Sequence, residues 1–285
     1  MIRFGPSGNS QSFYDQGFKS SLQMPGWLAG MGLNAYEYQC NRGVNIREST
    51  AKAIGEEALK NNVFISIHAP YYINLSSQEE SKRTNSKNYI LDTMKVANWM
   101  QAERVVVHTG SCTKMDRRFA LELAIQVLRD TIKEADSMGL SHITICPEVL
   151  GKVNQLGTIE EIVEMCKIDE RLIPTIDFGH IHARGMGSLN TPRDFENIID
   201  YIGNELGTER MKRLHIHFSR VEYSQGGEKK HWTMEDTQYG PEFEHLAVVL
   251  IKKKMEPVII CESRDFMAED ALKMKKIYEN LLNKM

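Results

Sequence analysis

Six short apolar runs along this chain each finish in a side chain able to bind a metal ion. They are His68 in "ISIHAPYYINL", His108 in "VVVHTG", Glu148 in "TICPEV", Asp177 in "TIDFGH", His217 in "LHIHFS" and Glu262 in "IICES". His180 follows Asp177 closely, and His231 lies in the basic stretch "EKKHWTM". A histidine or glutamate at one strand end is ordinarily a hydrogen-bonded or rim residue. Six in succession carry a different meaning, because acids and imidazoles gathered at one apolar mouth are costly unless cations neutralise them. Mixed nitrogen and carboxylate donors suit zinc, with manganese as the alternative. The donors outnumber the needs of one tetrahedral ion, so two or three ions with a bridging carboxylate are expected. His215 and His217 share one face of their strand, two residues apart. His217 is nearer the C-terminal mouth and is the expected ligand; His215 is expected one layer deeper. His182 is expected on the rim or behind the ligands, with an extra ligand as the competing role.

The elements that must gather these residues are readable. Strand candidates are "IRFG", "NAYEYQ", "VFISIH", "RVVVHT", "ITICPE", "PTIDFG", "LHIHFS" and "PVIICE". Between them, helical spacing or good helix formers cover 46–61, 78–100, 117–138, 158–166, 192–206, 242–253 and 268–282. Thr191-Pro192 gives an N-cap with proline at the first helical position, and Thr158 opens a helix with acids in its first turn. Eight strands alternating with helices predict an α/β fold, a (β/α)₈ TIM barrel, as a single domain over residues 1–285. Its active sites lie at the C-terminal strand ends, where the six side chains would meet. The doubly wound alternative lacks its G-x-G-x-x-G signature after the first strand.

Charge and cysteines narrow the setting. Thirty-five Lys and Arg against 38 Asp and Glu leave a net charge of −3, so no global basic field advertises nucleic acid. Local cations or bound metals can still attract phosphate. Five scattered cysteines without a C-x-x-C pair suit a reducing, cytoplasmic setting, and Cys146 and Cys261 sit in buried-strand contexts. No apolar run approaches the roughly 18 residues of a membrane span. No Ser-His-Asp order competes for catalysis, and the lone thiol Cys112 near His108 is weak evidence for a nucleophile.

The pieces "HAPY-IN", "VVHTGS", "PE-LGK-NQLG", "DFGH", "HIHFS", "H-T-E" and "CES" resemble endonuclease IV, within the wider xylose-isomerase-like barrels, over nearly the whole chain. That resemblance implies a metal-dependent hydrolase, a deoxyribonuclease IV-like AP endonuclease. It would cut damaged double-stranded DNA 5′ to abasic sites in base excision repair, through Zn2+ and as a monomer. His68 and His108 would hold one zinc, with Glu148 bridging to a second completed by Asp177, His217 and Glu262. His180 and His231 would hold the third. The family's aspartate two residues before the last histidine is Lys229 here, and a protonated lysine cannot ligate. Either Glu228 replaces it, or the third site is weak or missing. Val149 stands where the family has Asn, and the family's Asn-Asp pair after strand seven is absent.

In phosphodiester hydrolysis Glu148 is the expected catalytic residue, positioning the attacking water and accepting its proton. An abasic site must be flipped out and the gap filled. Tyr71 and Tyr72, just after His68, are the expected wedge, with rim packing as the competing role for Tyr72. Arg42 and Lys230 are expected to grip phosphate, with Lys114, Arg117, Arg118, Lys152 and Arg184 as further candidates. Two rival readings follow from the same residues. A sugar isomerase or epimerase would use Glu148, Asp177, His217 and Glu262 around one divalent cation. A non-catalytic binding protein would keep the metal site without turnover.

Overall fold

The computed structural model describes residues 1–284. Its strands are β1 (Arg3–Pro6), β2 (Ala35–Gln39), β3 (Phe64–His68), β4 (Arg104–Val107), β5 (Thr144–Pro147), β6 (Thr175–Asp177) and β7 (His215–Phe218), then β8 (Arg220–Ser224), β9 (Gly227–Trp232) and β10 (Val258–Cys261). Parallel pairing runs β1-β10-β7-β6 and β2-β3-β4-β5. Single parallel bridges, Ser7 to Glu37 and Glu148 to Thr175, join the two halves into a closed barrel. All eight expected strands are barrel strands.

Strand alternation then decides what fills the barrel. Following the register, one parity points inward: Ala35, Glu37 and Gln39; Phe64, Ser66 and His68; Cys146 and Glu148; His215 and His217; Val258, Ile260 and Glu262. The opposite parity, Tyr36, Ile65, Ile67, Val105, Ile145, Ile216 and Ile259, packs against the surrounding helices in the main core. The helices bury one stripe each. Pro192–Leu206 is held at its start by a Thr191–Asp194 capping box and buries Phe195, Ile199, Ile202 and Leu206, one per turn. Truncating Phe195 to alanine would cost about 3–5 kcal/mol.

Two features depart from the expected pattern. The chain turns into a helix directly after Asp177, a helix not among the expected ones, and His180 sits on it (Phe178–Arg184). The stretch after β7, for which no strand was expected, forms the antiparallel hairpin β8–β9. Its strands, "RVEYS" and "GEKKHW", lack the apolar alternation of a half-buried strand. Among the described residues no helix is long and apolar enough to cross a membrane.

Candidate metal centre

The strand ends deliver their side chains to one mouth. His68, His108 and Glu148 present ligand atoms within 4.8 Å of one another, as do Glu148, Asp177, His217 and Glu262, and as do His180, Glu228 and His231. Glu148 belongs to two of these groups. Its Oε2 lies 3.2 Å from His68 Nε2 and 3.1 Å from His108 Nε2, and its Oε1 lies 3.1 Å from His217 Nδ1. His217 Nδ1 is also 3.4 Å from Glu262 Oε1. All eight residues expected to bind metal are therefore within these three groups.

Local structure sets each ring. His68 Nδ1 is 2.8 Å from the Ala69 carbonyl, His108 Nδ1 3.2 Å from the Tyr71 carbonyl, and His180 Nδ1 2.9 Å from the Val149 carbonyl. A carbonyl only accepts, so these rings carry their proton on Nδ1 and leave Nε2 free for a cation. His231 Nδ1 meets Ser219 Oγ at 2.7 Å. His217 is turned the other way, with Nε2 3.1 Å from Glu37 Oε1 and Nδ1 toward the cluster. Asp177 caps the following helix, its Oδ1 accepting the His180 amide at 2.8 Å, while its buried Oδ2 has no hydrogen-bond partner. That oxygen has His180 Nδ1 at 3.2 Å but no aligned donor, and a buried carboxylate oxygen left without a hydrogen bond among other ligands suits a cation site.

The electrostatics agree. Burial alone would lower His68, yet Glu148 beside it holds the ring up at about 9. His180, likewise opposed by burial, is held up at about 9 by Asp177 and Glu228. Glu148 resists burial because His108 and His217 keep it well below the usual carboxylate range. Burial pushes Asp177 up. With no cation bound, protons on the imidazoles carry the compensating charge; a divalent ion does the same work at the unprotonated rings. The donor set fits zinc or manganese.

The third group hinges on a β-bulge. Glu222 pairs with Lys230 and Tyr223 with Glu228, so Lys229 is skipped. Residues three apart on a regular strand face opposite ways; the extra residue restores Glu228 and His231 to one face. Glu228 lies 3.4 Å from His180 Nε2 and 3.6 Å from His231 Nε2. Lys229 turns outward to pair with Glu222. Two glycines make room: Gly227 has φ +91°, and a Cβ there would meet the Gly151 carbonyl oxygen at 2.1 Å, while Gly151 packs directly beneath Glu228. The Lys229 departure therefore leaves a carboxylate with both histidines.

The DNA-contact expectations divide. A cavity of about 310 Å³ over the cluster is lined by Tyr71, Lys152 and Gln155 together with His68, His108, His180, Glu228, His231 and Glu262. Tyr71 is 52% exposed there. Tyr72 instead donates its hydroxyl to the Arg42 carbonyl at 2.9 Å and packs edge-on against Tyr89, which makes it a rim residue. Lys230 stacks over Trp232 with its nitrogen 4.2 Å from the ring, on the hairpin face opposite His231, and does not line the cavity. Arg42 is exposed in the loop after β2. Arg117 and Arg118 are bound by Glu161 and Glu164, and Arg184 by backbone carbonyls of residues 150–155, so these guanidinium groups are engaged within the fold. His182 is no ligand: its Nδ1 accepts the Leu189 amide at 3.1 Å, and burial lowers it to about 4.

One residue went unread in the sequence. Glu37, fully buried on β2, hydrogen-bonds His215 Nε2 at 2.9 Å and stands 3.1 Å from His217 Nε2, near enough for charge attraction but not aligned as a hydrogen bond. The signal was the alternation of "AYEYQ", where buried Tyr36 must face the helices and Glu37 therefore the barrel.

A family model described as a xylose isomerase-like TIM barrel matches residues 25–279. An uncharacterized protein of Methanocaldococcus jannaschii is 31% identical over 281 residues, covering 99% of this chain and 98% of that protein. A probable endonuclease 4 of Methanosphaera stadtmanae is 26% identical over 157 residues, and this chain spans about half of it, 54%. Among solved structures, endonuclease IV from Thermus thermophilus superposes with a TM-score of 0.66 at 18% identity, covering 99% of this chain and 100% of that one. A D-tagatose 3-epimerase-like protein superposes with a TM-score of 0.67 at 21% identity, covering 88% of this chain and 90% of that one. At such identities the structural likeness establishes the fold alone.

Proposed function

The chain belongs to the xylose isomerase-like TIM barrel family, and on that premise we propose that it is a metal-dependent phosphodiesterase cutting DNA 5′ to abasic sites. The observation that carries this reading is the third ligand group, His180, Glu228 and His231, beside the set shared by the whole barrel mouth. An isomerase working around one cation needs only Glu148, Asp177, His217 and Glu262. Neither His68 with His108 nor the hairpin ligands has a task in that chemistry. The sequence similarity to probable endonuclease 4 supports the same reading.

His68, His108 and Glu148 would hold one ion, Glu148, Asp177, His217 and Glu262 a second, and His180, Glu228 and His231 a third. Bound divalent cations supply a water ionising near neutrality and a clamp on the attacking and leaving oxygens of the phosphate. Glu148, central to two ligand groups, positions the attacking water and accepts its proton. Asp177 and Glu262 place carboxylates at the strand ends, which bound cations would offset in place of imidazole protons. Lys152 reaches the cleft as a cation for a flanking phosphate, and the exposed ring of Tyr71 stacks into the gap an extruded nucleotide leaves.

The test is incubation of the full chain with a duplex carrying one abasic analogue, with and without chelator. Cleavage immediately 5′ to the lesion, lost on chelation and restored by zinc or manganese, is expected. An intact duplex under metal-replete conditions, with turnover of a free ketose, would replace this reading by the sugar epimerase. Tight DNA binding with no turnover of either substrate would replace it by the non-catalytic one.

A further inference from the structure

Four of the five histidines facing the cations are steadied from behind by neutral groups: the carbonyls of Ala69, Tyr71 and Val149, and the Ser219 hydroxyl. Behind His217 stands a carboxylate outside the three mouth groups, Glu37, whose Oε1 lies 3.1 Å from its Nε2 as a charge contact. The carboxylate nearest the rear nitrogen of His180, Asp177 Oδ2 at 3.2 Å, belongs to the ligand cluster itself. Glu37 is itself held rigidly. Ser66 Oγ donates to its Oε2 at 2.8 Å, and His215 Nε2 meets the same oxygen at 2.9 Å. Gln39 Nε2 donates to Oε1 at 3.3 Å and to Ser7 Oγ at 2.6 Å, and Ser7 Oγ donates to Glu262 Oε1 at 3.1 Å. A chain of hydrogen bonds thus runs beneath the mouth from His215 through Glu37, Gln39 and Ser7 to Glu262.

We propose that Glu37 is a positioning residue for the metal centre: it fixes the His217 ring with Nδ1 toward the cation and, through Gln39 and Ser7, steadies Glu262. Two ligands of one ion, from β7 and the end of β10, are thereby tied to a single buried carboxylate on β2. The negative charge of a carboxylate close behind a ligating imidazole favours the proton on the nitrogen facing it and strengthens the opposite nitrogen as a donor, and losing such a partner typically costs about 10- to 100-fold in metal affinity. The ordinary alternative is that Glu37 and His215 form a buried polar pair that only fills the barrel. That pair would explain two of Glu37's contacts, but not the reversed orientation of His217 or the continuation to Glu262. The inference rests on the cation-binding part of the reading above and is independent of whether the substrate is DNA.

The experiment titrates metal-free, full-length protein with Zn2+ against a chromophoric chelator, and with Co2+ while recording its visible absorption. It compares wild type with Glu37→Gln, which keeps the shape, and Glu37→Leu, which removes the acceptor. One class of ion, and only one, should weaken by about 10- to 100-fold in Glu37→Gln, with an altered cobalt spectrum at that site. If Glu37→Leu does not fold, the isosteric variant carries the test alone. Unchanged affinities and cobalt spectra in a variant that is merely less stable would reduce Glu37 to a filler of the barrel and overturn the proposal. One ion more in wild type than the three mouth groups hold, lost in Glu37→Gln, would make Glu37 a ligand with His215 and His217, and would also overturn it. Wild type that binds no ion at all would instead sink the metal-centre reading on which the proposal stands.

Discussion

Replacing Gly151 by alanine should dismantle the third ligand group while leaving the barrel standing. The added methyl would sit 2.6 Å from Glu228 Cβ, 2.9 Å from His180 Cδ2 and 3.0 Å from Glu228 Oε2. Carbon atoms rest comfortably at about 3.5–4.0 Å, so Glu228 must withdraw by roughly 1 Å. It cannot do so freely, because its amide donates to the Gly151 carbonyl at 3.1 Å and pins β9 to the loop after β5. The cost falls in the range for overpacking, about 1–3 kcal/mol, or on the order of 2–4 °C of melting temperature per kcal/mol. The functional consequence is larger. Glu228 approaches the ring nitrogens of His180 and His231 at 3.4 and 3.6 Å, and a displacement of roughly 1 Å removes it from any common ion. The assay is elemental analysis of protein dialysed against buffered zinc, paired with thermal melts in chelator. The variant should lose one ion equivalent and melt several degrees below wild type when both are stripped. A full complement of metal with unchanged melting would refute the argument that Gly151 makes room for a ligand.

Cation binding should strengthen with pH. In the metal-free protein His68 and His180 are held up at about 9 against an ordinary 6.5. Their charged contacts therefore stabilise the metal-free fold fully below 6.5 and are lost as pH rises through 9. Binding runs the opposite way, since each ion must displace those protons. Zinc affinity should rise across that window, and calorimetry at about pH 7 in buffers of differing ionisation enthalpy should register proton release; a pH-independent affinity would count against the assignment. Lys229→Ala should keep the metal content and activity of wild type, because the side chain pairs outward with Glu222. Loss of an ion in that variant would show that the bulge does not set Glu228's direction.

Much of this site was present in the chain as a string. Strand ends with His68, His108, Glu148, Asp177, His217 and Glu262 were legible because side-chain direction within a strand is local, fixed by a two-residue period. The placing of His215 one layer below His217 followed from the same rule, and both are fully buried on the barrel side. What faces what across the barrel is not local. Glu37 meets His215 and His217 only because closure sets β2 opposite β7, and no spacing within either strand contains that register. The hairpin decided the rest. A single skipped residue at Lys229 moves Glu228 onto the ligand face, and whether a strand bulges depends on its partner as well as its own residues. Tyr72 takes the rim role that competed with the wedge, on Tyr89 and the Arg42 carbonyl, while Lys230, expected to grip phosphate, lies over Trp232 two residues along the same strand. Local geometry thus determined which residues point inward, while barrel closure and strand pairing, which join distant parts of the chain, decided which of them meet.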